Sequence, residues 1–344
     1  MSNPLDCTVI VPLKDNHKRT LFTLKNSIFP ELFYIFADGS SSDCNEVIFS
    51  KIHLANVQYV RFPVDESQTI FSKKMSNAAK LSTTKYTCTL DQGDIISLSG
   101  IKTSIQKLEE NLAASAVCGR LYAARRVGRI LSGIHRVNRS DHLSGVSSVE
   151  AISRIKNNYG LLWYSVMRTK DFCEIHYNLS KYEITHPERE IFPTIFLLWR
   201  GTYFTHQTPQ ALRIIYSPYK WTTQDSAFYD PKEFTDMKNK AIYFGDLCSR
   251  IIGTNSRLIE EIVEPLFLTV LRQRQRQWLG PKPLARLMPS NQTVSKFPFL
   301  GSLEVNLEYI LKMIFPSKPE KIWFSSLKLL RLKKWEQNAS KTGE

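Results

Sequence analysis

Leu32-Phe-Tyr-Ile-Phe-Ala-Asp38-Gly39-Ser40-Ser41-Ser42-Asp43 runs from six mostly apolar residues straight into an acidic Gly-Ser turn. A short apolar run closed by turn residues reads as a strand buried on both faces, the pattern of a parallel sheet. The same pattern returns in Cys7-Thr-Val-Ile-Val11 before Pro12, in Val57 to Phe62 before Pro63, and in Tyr86-Thr-Cys-Thr-Leu90 before Asp91-Gln-Gly-Asp94. Helix-like segments separate these runs, with apolar positions at Leu21, Leu24 and Ile28, then over 45–52 and 69–82. Strands alternating with helices predict an α/β fold with a doubly wound, mostly parallel sheet. Ligands of such sheets collect outside the carboxyl ends of the strands. Two acidic clusters delivered to that edge suggest a nucleotide site that could take a divalent metal.

Further along, Ile101 to Leu112 reads as a helix and Ala116 to Tyr122 as a strand, and 125–148 reads as a loop or short hairpin. Glu188 to Trp199 is a strongly apolar helix too short to span a bilayer. From about residue 234 the chain turns helical, with segments at 238–252, 257–278 and 303–315 and a linker at Gly280-Pro-Lys-Pro. The expected division is a nucleotide-binding and catalytic domain over 1–235 and a helical, basic extension over 236–344.

The 344 residues carry a formal charge of +14, which calls for an anionic partner: a sugar nucleotide, an acidic membrane surface or nucleic acid. Residues 271–344 hold fourteen Lys and Arg against five Glu. Within them Ile322 to Trp335 interleaves bulky apolar residues with Lys and Arg, as an interfacial helix on anionic lipid or a docking helix would. Nucleic acid is disfavoured, because the basic and aromatic residues form no RNA- or DNA-binding module. Six scattered cysteines without CxxC spacing read as thiols in a reducing compartment. With no signal-peptide pattern and no apolar run of membrane-spanning length, the expected location is cytoplasmic, or peripheral on the inner membrane face.

Thr8 to Asp15, Ile35 to Asp43, and Asn77-Ala-Ala followed by Lys85 to Asp94 together resemble the N-terminal part of a family-2 glycosyltransferase of GT-A fold. The likeness extends more loosely to about residue 215, through Tyr164 to Asp171 and Glu188-Arg-Glu190, and resembles a bacterial subgroup. It implies an inverting transfer of a sugar from a nucleoside-diphosphate donor to the hydroxyl of a glycan or lipid-linked acceptor, in surface polysaccharide assembly. By resemblance, Pro12, Asp15, Asp38, Gly39, Ser40, Asn77 and Asp91 line the nucleotide. Asp38 also suits that role chemically, since a carboxylate at a strand end accepts a base N–H while Gly39 and Ser40 let the ring approach. An ordinary turn uses the same residues.

The metal, Mg²⁺ or Mn²⁺ by the same resemblance, belongs to Asp91 and Asp94. The spacing departs from the family here, because Gly93 stands where a second carboxylate is usual. Three readings stay open: Asp94 swings in, Lys or Arg meets the phosphate charge without a metal, or the chain is a catalytically inactive nucleotide-binding scaffold. An inverting transfer also needs a general base. The resemblance offers Glu188 and Glu190 of Thr185-His-Pro-Glu-Arg-Glu190, a sequence that equally suits a helix N-terminus. Arg120, Arg125, Arg126, Arg129, Arg136 and Arg139 are candidates for a diphosphate or an anionic acceptor.

Overall fold

A computed structural model describes residues 4–127, 130–136, 143–155, 162–216, 236–253 and 259–279. The N-terminal half is the strand-helix alternation read from the sequence. It comprises β1 (Cys7–Leu13), α1 (His17–Asn26), β2 (Phe33–Asp38), α2 (Cys44–Phe49), β3 (Val57–Arg61), α3 (Gln68–Lys80) and β4 (Tyr86–Thr89). β1 runs two residues further than expected, carrying Pro12 within it in register with Ala37. β1, β2 and β4 bury nearly every residue, as continuous apolar runs in a two-faced sheet should. Side-chain caps set the helix starts: Asn16 accepts the N–H of Arg19 at 3.2 Å, and Ser67 that of Ile70 at 3.2 Å.

The later elements are β5 (Ile95–Ile96), α4 (Leu98–Glu110), β6 (Ala114–Val127), β7 (Ile130–Arg136), α5 (Ser148–Arg154), β8 (Val166–Arg168), α6 (Thr169–Leu179), α7 (His186–Arg200) and β9 (Thr202–Tyr216). The sheet order is β3-β2-β1-β4-β8-β6-β9-β5, with β7 paired to β6. Pairing is parallel from β3 to β4 and again between β6 and β9. β8, β7 and β5 join antiparallel. α1 packs on α2, and α3 packs on α6 and α7, so helices cover both faces. The result is a doubly wound α/β fold, followed by helices α8 (Met237–Ile252) and α9 (Glu264–Leu279) that dock on α7. Among the described residues no helix is long and apolar enough to cross a membrane. The linker at 280, the expected helix at 303–315 and the basic segment 322–335 lie outside the described residues.

The sheet order fixes where a ligand fits. β1 leads outward to β2 and β3 on one side, and the chain then returns to place β4 on the other. That reversal makes the crevice between the carboxyl ends of β1 and β4 the topological switch point.

Candidate functional site

Two carboxylates and one guanidinium fold the loop after β2. Asp38 is fully buried, and its Oδ1 accepts the backbone N–H of Ser40 at 2.9 Å, the Ser40 hydroxyl, and Asn45 Nδ2 at 3.4 Å. Its Oδ2 accepts the Tyr59 hydroxyl at 2.7 Å and Arg61 Nη1 at 3.0 Å. Arg61 reaches on to the carbonyls of Ser40 (2.6 Å) and Ser42 (2.7 Å). From the end of β1 the exposed Asp15 accepts the N–H groups of Ser41 and Ser42 at 2.9 and 3.0 Å. Partial burial raises the Asp15 pKa, but these Ser donors outweigh it and hold the carboxyl below its ordinary value. The Tyr59 phenol is raised by burial and by donating to Asp38. Asp38 therefore shapes the loop from below, and a base N–H reaches it only by displacing one of these donors.

Gly39 is sewn to both neighbouring loops, donating to the Leu13 carbonyl at 3.2 Å and accepting from Asp65 N at 3.0 Å. A Cβ at Gly39 would sit 2.5 Å from the Asp65 carboxyl carbon. Behind it lies an ion pair between Asp65 and Lys74, both buried, with Lys74 Nζ also 3.4 Å from the Leu13 carbonyl. Burial pushes Asp65 up, against the pull of Lys74, Lys14 and Arg189, and pushes Lys74 down, against the pull of Asp65. Oδ1 of Asp65 is buried with no hydrogen-bond partner among the described residues. Such a pair adds little net stability, since desolvating two ions offsets their attraction. Pro12 is half-buried in β1, and Asn77 is half-buried one turn after Lys74 on α3.

Across the crevice, the side chain of Gln92 clips the two strand ends together. Its Oε1 accepts from Lys14 N at 3.2 Å, and its Nε2 donates to the Lys14 carbonyl at 3.0 Å. Asp91 accepts Trp163 Nε1 at 2.7 Å on one oxygen and the Tyr164 hydroxyl at 3.2 Å on the other. Tyr164 donates also to Asp94 Oδ2 at 2.5 Å, while Asp94 Oδ1 accepts the backbone N–H of Ile214 at 2.8 Å. Asp94 is only 3% exposed. Burial and the nearby Asp91 charge raise its pKa to about 7. Gly93 turns the chain between them at φ 96°, a left-handed conformation that suits glycine.

These placements test the residues against a divalent ion, and they do not fit one. Asp94 would have to leave both Ile214 N and Tyr164 to serve as a ligand, and Gly93 carries no side chain. Among the described residues no group of three or more His, Cys, Asp and Glu lies together.

The helix expected to bring the base is α7, and the structure gives Glu188, Arg189 and Glu190 three different roles. Glu188 is the acid of a capping box, accepting Thr185 N while the Thr185 side chain meets the backbone at Glu188. It is 3% exposed and raised in pKa by burial. The sequence pattern Thr185-x-x-Glu188 already carried that cap. Glu190 lies 3.3 Å from His186 Nε2, one turn away and partly exposed. Arg189, which the sequence reading passed over, lays its guanidinium 4.5 Å from the Phe71 ring centre and 5.4 Å from that of Trp163, the residue holding Asp91. Of the arginine cluster, Arg120 binds Gln207. The side chains of Arg125 and Arg126, and all of Arg129 and Arg139, lie outside the described residues.

No family model and no curated relative matches the chain. Among solved structures it is similar to S. aureus TarS 1-349 in complex with UDP-GlcNAc, at 15% identity over 72% of each chain with a TM-score of 0.49. It is similar also to S. aureus TarS 1-349 in complex with UDP, at 13% identity over 93% of this chain and 86% of that one, with a TM-score of 0.48. Likeness at this level says nothing about what this chain binds.

Proposed function

We propose that the chain binds a nucleoside-diphosphate sugar in the crevice between β1 and β4 and transfers the sugar to a hydroxyl acceptor with inversion. The observation that carries this is the convergence of β1, β2 and β4 on one switch point. Asp15 and Asp38 there fold a single Gly-Ser loop, and Lys14, Lys74 and Arg189 supply positive charge. The base and ribose rest on the loop 38–42 and the diphosphate lies toward Gln92 and Asp91. In the transfer, the acceptor oxygen bonds the anomeric carbon as the bond from that carbon to the diphosphate oxygen breaks, its electron pair leaving with the diphosphate. The acceptor proton passes to Glu190, whose carboxylate stays partly exposed beside His186, whereas Glu188 is consumed by its cap.

A thermal-shift panel of UDP, GDP, dTDP and ADP tests the binding step. A ligand at a hundred times its Kd adds about 2.7 kcal/mol to folding stability. One nucleotide should raise the melting temperature, and a flat panel rejects the proposal. The engaged carboxylates of Asp94 and Glu188 favour a second reading, a binding-only scaffold. Donor turnover that Glu190→Gln lowers by about 100-fold or more, the usual scale of general-base catalysis, rules that reading out.

A further inference from the structure

We propose that the outer faces of α3 and α6 together form a basic, leucine-edged surface that rests on an anionic lipid bilayer. This surface is separate from the nucleotide site and does not depend on it.

The two helices lie side by side and antiparallel. Thr69 Oγ1 donates to the Tyr182 carbonyl, just past the end of α6, at 2.8 Å, and Ser76 Oγ donates to the Cys173 carbonyl at 3.5 Å. Along α3, the exposed Lys73 and Lys80 stand two turns apart, about 10 Å. Lys170 and Tyr177 repeat that spacing on α6, and Lys181 follows one turn on; all three are exposed. Tyr177 joins the two rows, with Lys80 Nζ 5.4 Å and Lys181 Nζ 4.0 Å from its ring centre. A ring attracts an ammonium without neutralising it. Among the described residues none of the four lysines is ion-paired with a carboxylate. Glu174, the acid within the α6 row, is taken by Arg200, and Asp171 faces inward.

The edge of this face is apolar. Leu81, directly after Lys80, is 43% exposed, and Leu112 is 83% exposed. Both stand at the start of α6: the Leu112 carbonyl accepts Arg168 Nη2 at 3.0 Å, and the Thr84 carbonyl, three residues after Leu81, accepts Thr169 Oγ1 at 2.7 Å. Lysines whose stems are apolar, beside exposed leucines, suit the boundary between lipid headgroups and acyl chains. The ammoniums meet the anionic headgroups and the leucines enter between them. A phosphodiester chain gives leucine nothing to bury in, so lipid fits this face better than nucleic acid. Each lysine held near an anionic bilayer contributes roughly a fivefold gain in partitioning.

Co-sedimentation of the full chain with phosphatidylcholine vesicles, with and without phosphatidylserine, tests this, and the melting temperature of each variant reports that it remains folded. Binding should require phosphatidylserine and weaken with salt. Lys73→Gln with Lys80→Gln, and Lys170→Gln with Lys181→Gln, should each lower the partition coefficient by about 25-fold. Leu81→Ser with Leu112→Ser should lower it by about 10-fold at unchanged charge. Lys18→Gln with Lys102→Gln removes as much charge from α1 and α4 and should change it by less than about twofold, since exposed charges beyond a Debye length are screened. The inference is overturned by four results: no binding to phosphatidylserine vesicles, binding that neither lysine pair on α3 and α6 alters, an equal loss from the Lys18 and Lys102 pair, or lysine-dependent binding that the leucine pair leaves unchanged and single-stranded RNA reproduces. None of these touches the nucleotide reading.

Discussion

The two acidic turns, 38–43 after β2 and 91–94 after β4, look alike in the sequence and are built on opposite principles. In the first, the chain folds around its carboxylates: Asp38 and Asp15 accept backbone N–H groups of the serines between them, and Arg61 closes the loop from β3. In the second, the carboxylates are held by the side chains of a distant segment, Trp163 and Tyr164, and Asp94 anchors β9 through Ile214. An Asp at a strand end is thus not a unit of function. The supply of nearby donors decides whether it shapes a loop or pins a core.

The largest test of this contrast strikes beneath the first turn. Lys74→Met leaves Asp65 buried without its cation and should cost about 3–5 kcal/mol. The double variant Lys74→Met with Asp65→Leu should recover most of that in urea unfolding. Next come the two glycines, which fail for different reasons. Gly39→Ala forces a methyl group against the Asp65 carboxyl, and overpacking of this kind costs about 1–3 kcal/mol. Gly93→Ala instead places a side chain at φ 96°, for about 1–2 kcal/mol. Adding Asp65→Ala should relieve the first and leave the second unchanged, which a double-mutant cycle reads directly.

A smaller effect separates the turns by pH. Asp94 titrates near 7 when folded and near 3.8 when unfolded, so the folded state binds the extra proton between those values. Stability from this group is full below about pH 4 and declines as pH rises toward 7, at up to about 1.4 kcal/mol per pH unit. Asp94→Asn should flatten that part of the stability profile. Asp15 has the opposite sign: its depressed pKa favours the fold above its ordinary value and loses that contribution as pH falls. Asp15→Asn should change global stability least and appear as faster amide exchange at Ser41 and Ser42.

The parallel half of the sheet was legible because its strands are buried on both faces, so apolar runs stand out against polar turns. The mixed half was legible only in part: α4, β6 and α7 stand where the sequence marks a helix, a strand and a helix, but β9 and α6 do not show. β9 reads Thr202-Tyr-Phe-Thr-His-Gln-Thr-Pro-Gln before its apolar end, and neither a continuous run nor clean alternation marks it. Two of its polar residues, His206 and Gln210, are buried around Ser104, and Gln210 accepts from Ser104 at 2.7 Å and from Gly119 N at 2.6 Å. α6 was missed for a related reason, since Thr169 to Leu179 mixes half-exposed aromatic and charged residues around a narrow apolar stripe. At the site, the strand-end residues Asp15, Asp38 and Asp91 could be found from their strands. Lys74 sits on the helix at 69–82, where a lysine ordinarily faces solvent, and Arg189 was hidden between two glutamates that drew attention as bases.

Arg61 stands on β3, the edge of the sheet, where the strand is only half covered. Edge strands open locally at lower free energy than central ones. The guanidinium that latches Asp38 and the two serine carbonyls therefore rides on an edge strand of the sheet. A ligand that must take Asp38 from Arg61 binds only the frayed fraction, and its apparent affinity is reduced by that fraction. Packing that tightens β3 against β2, far from any ligand atom, would then slow capture, and amide exchange along β3 measured beside nucleotide on-rates would show the two moving together.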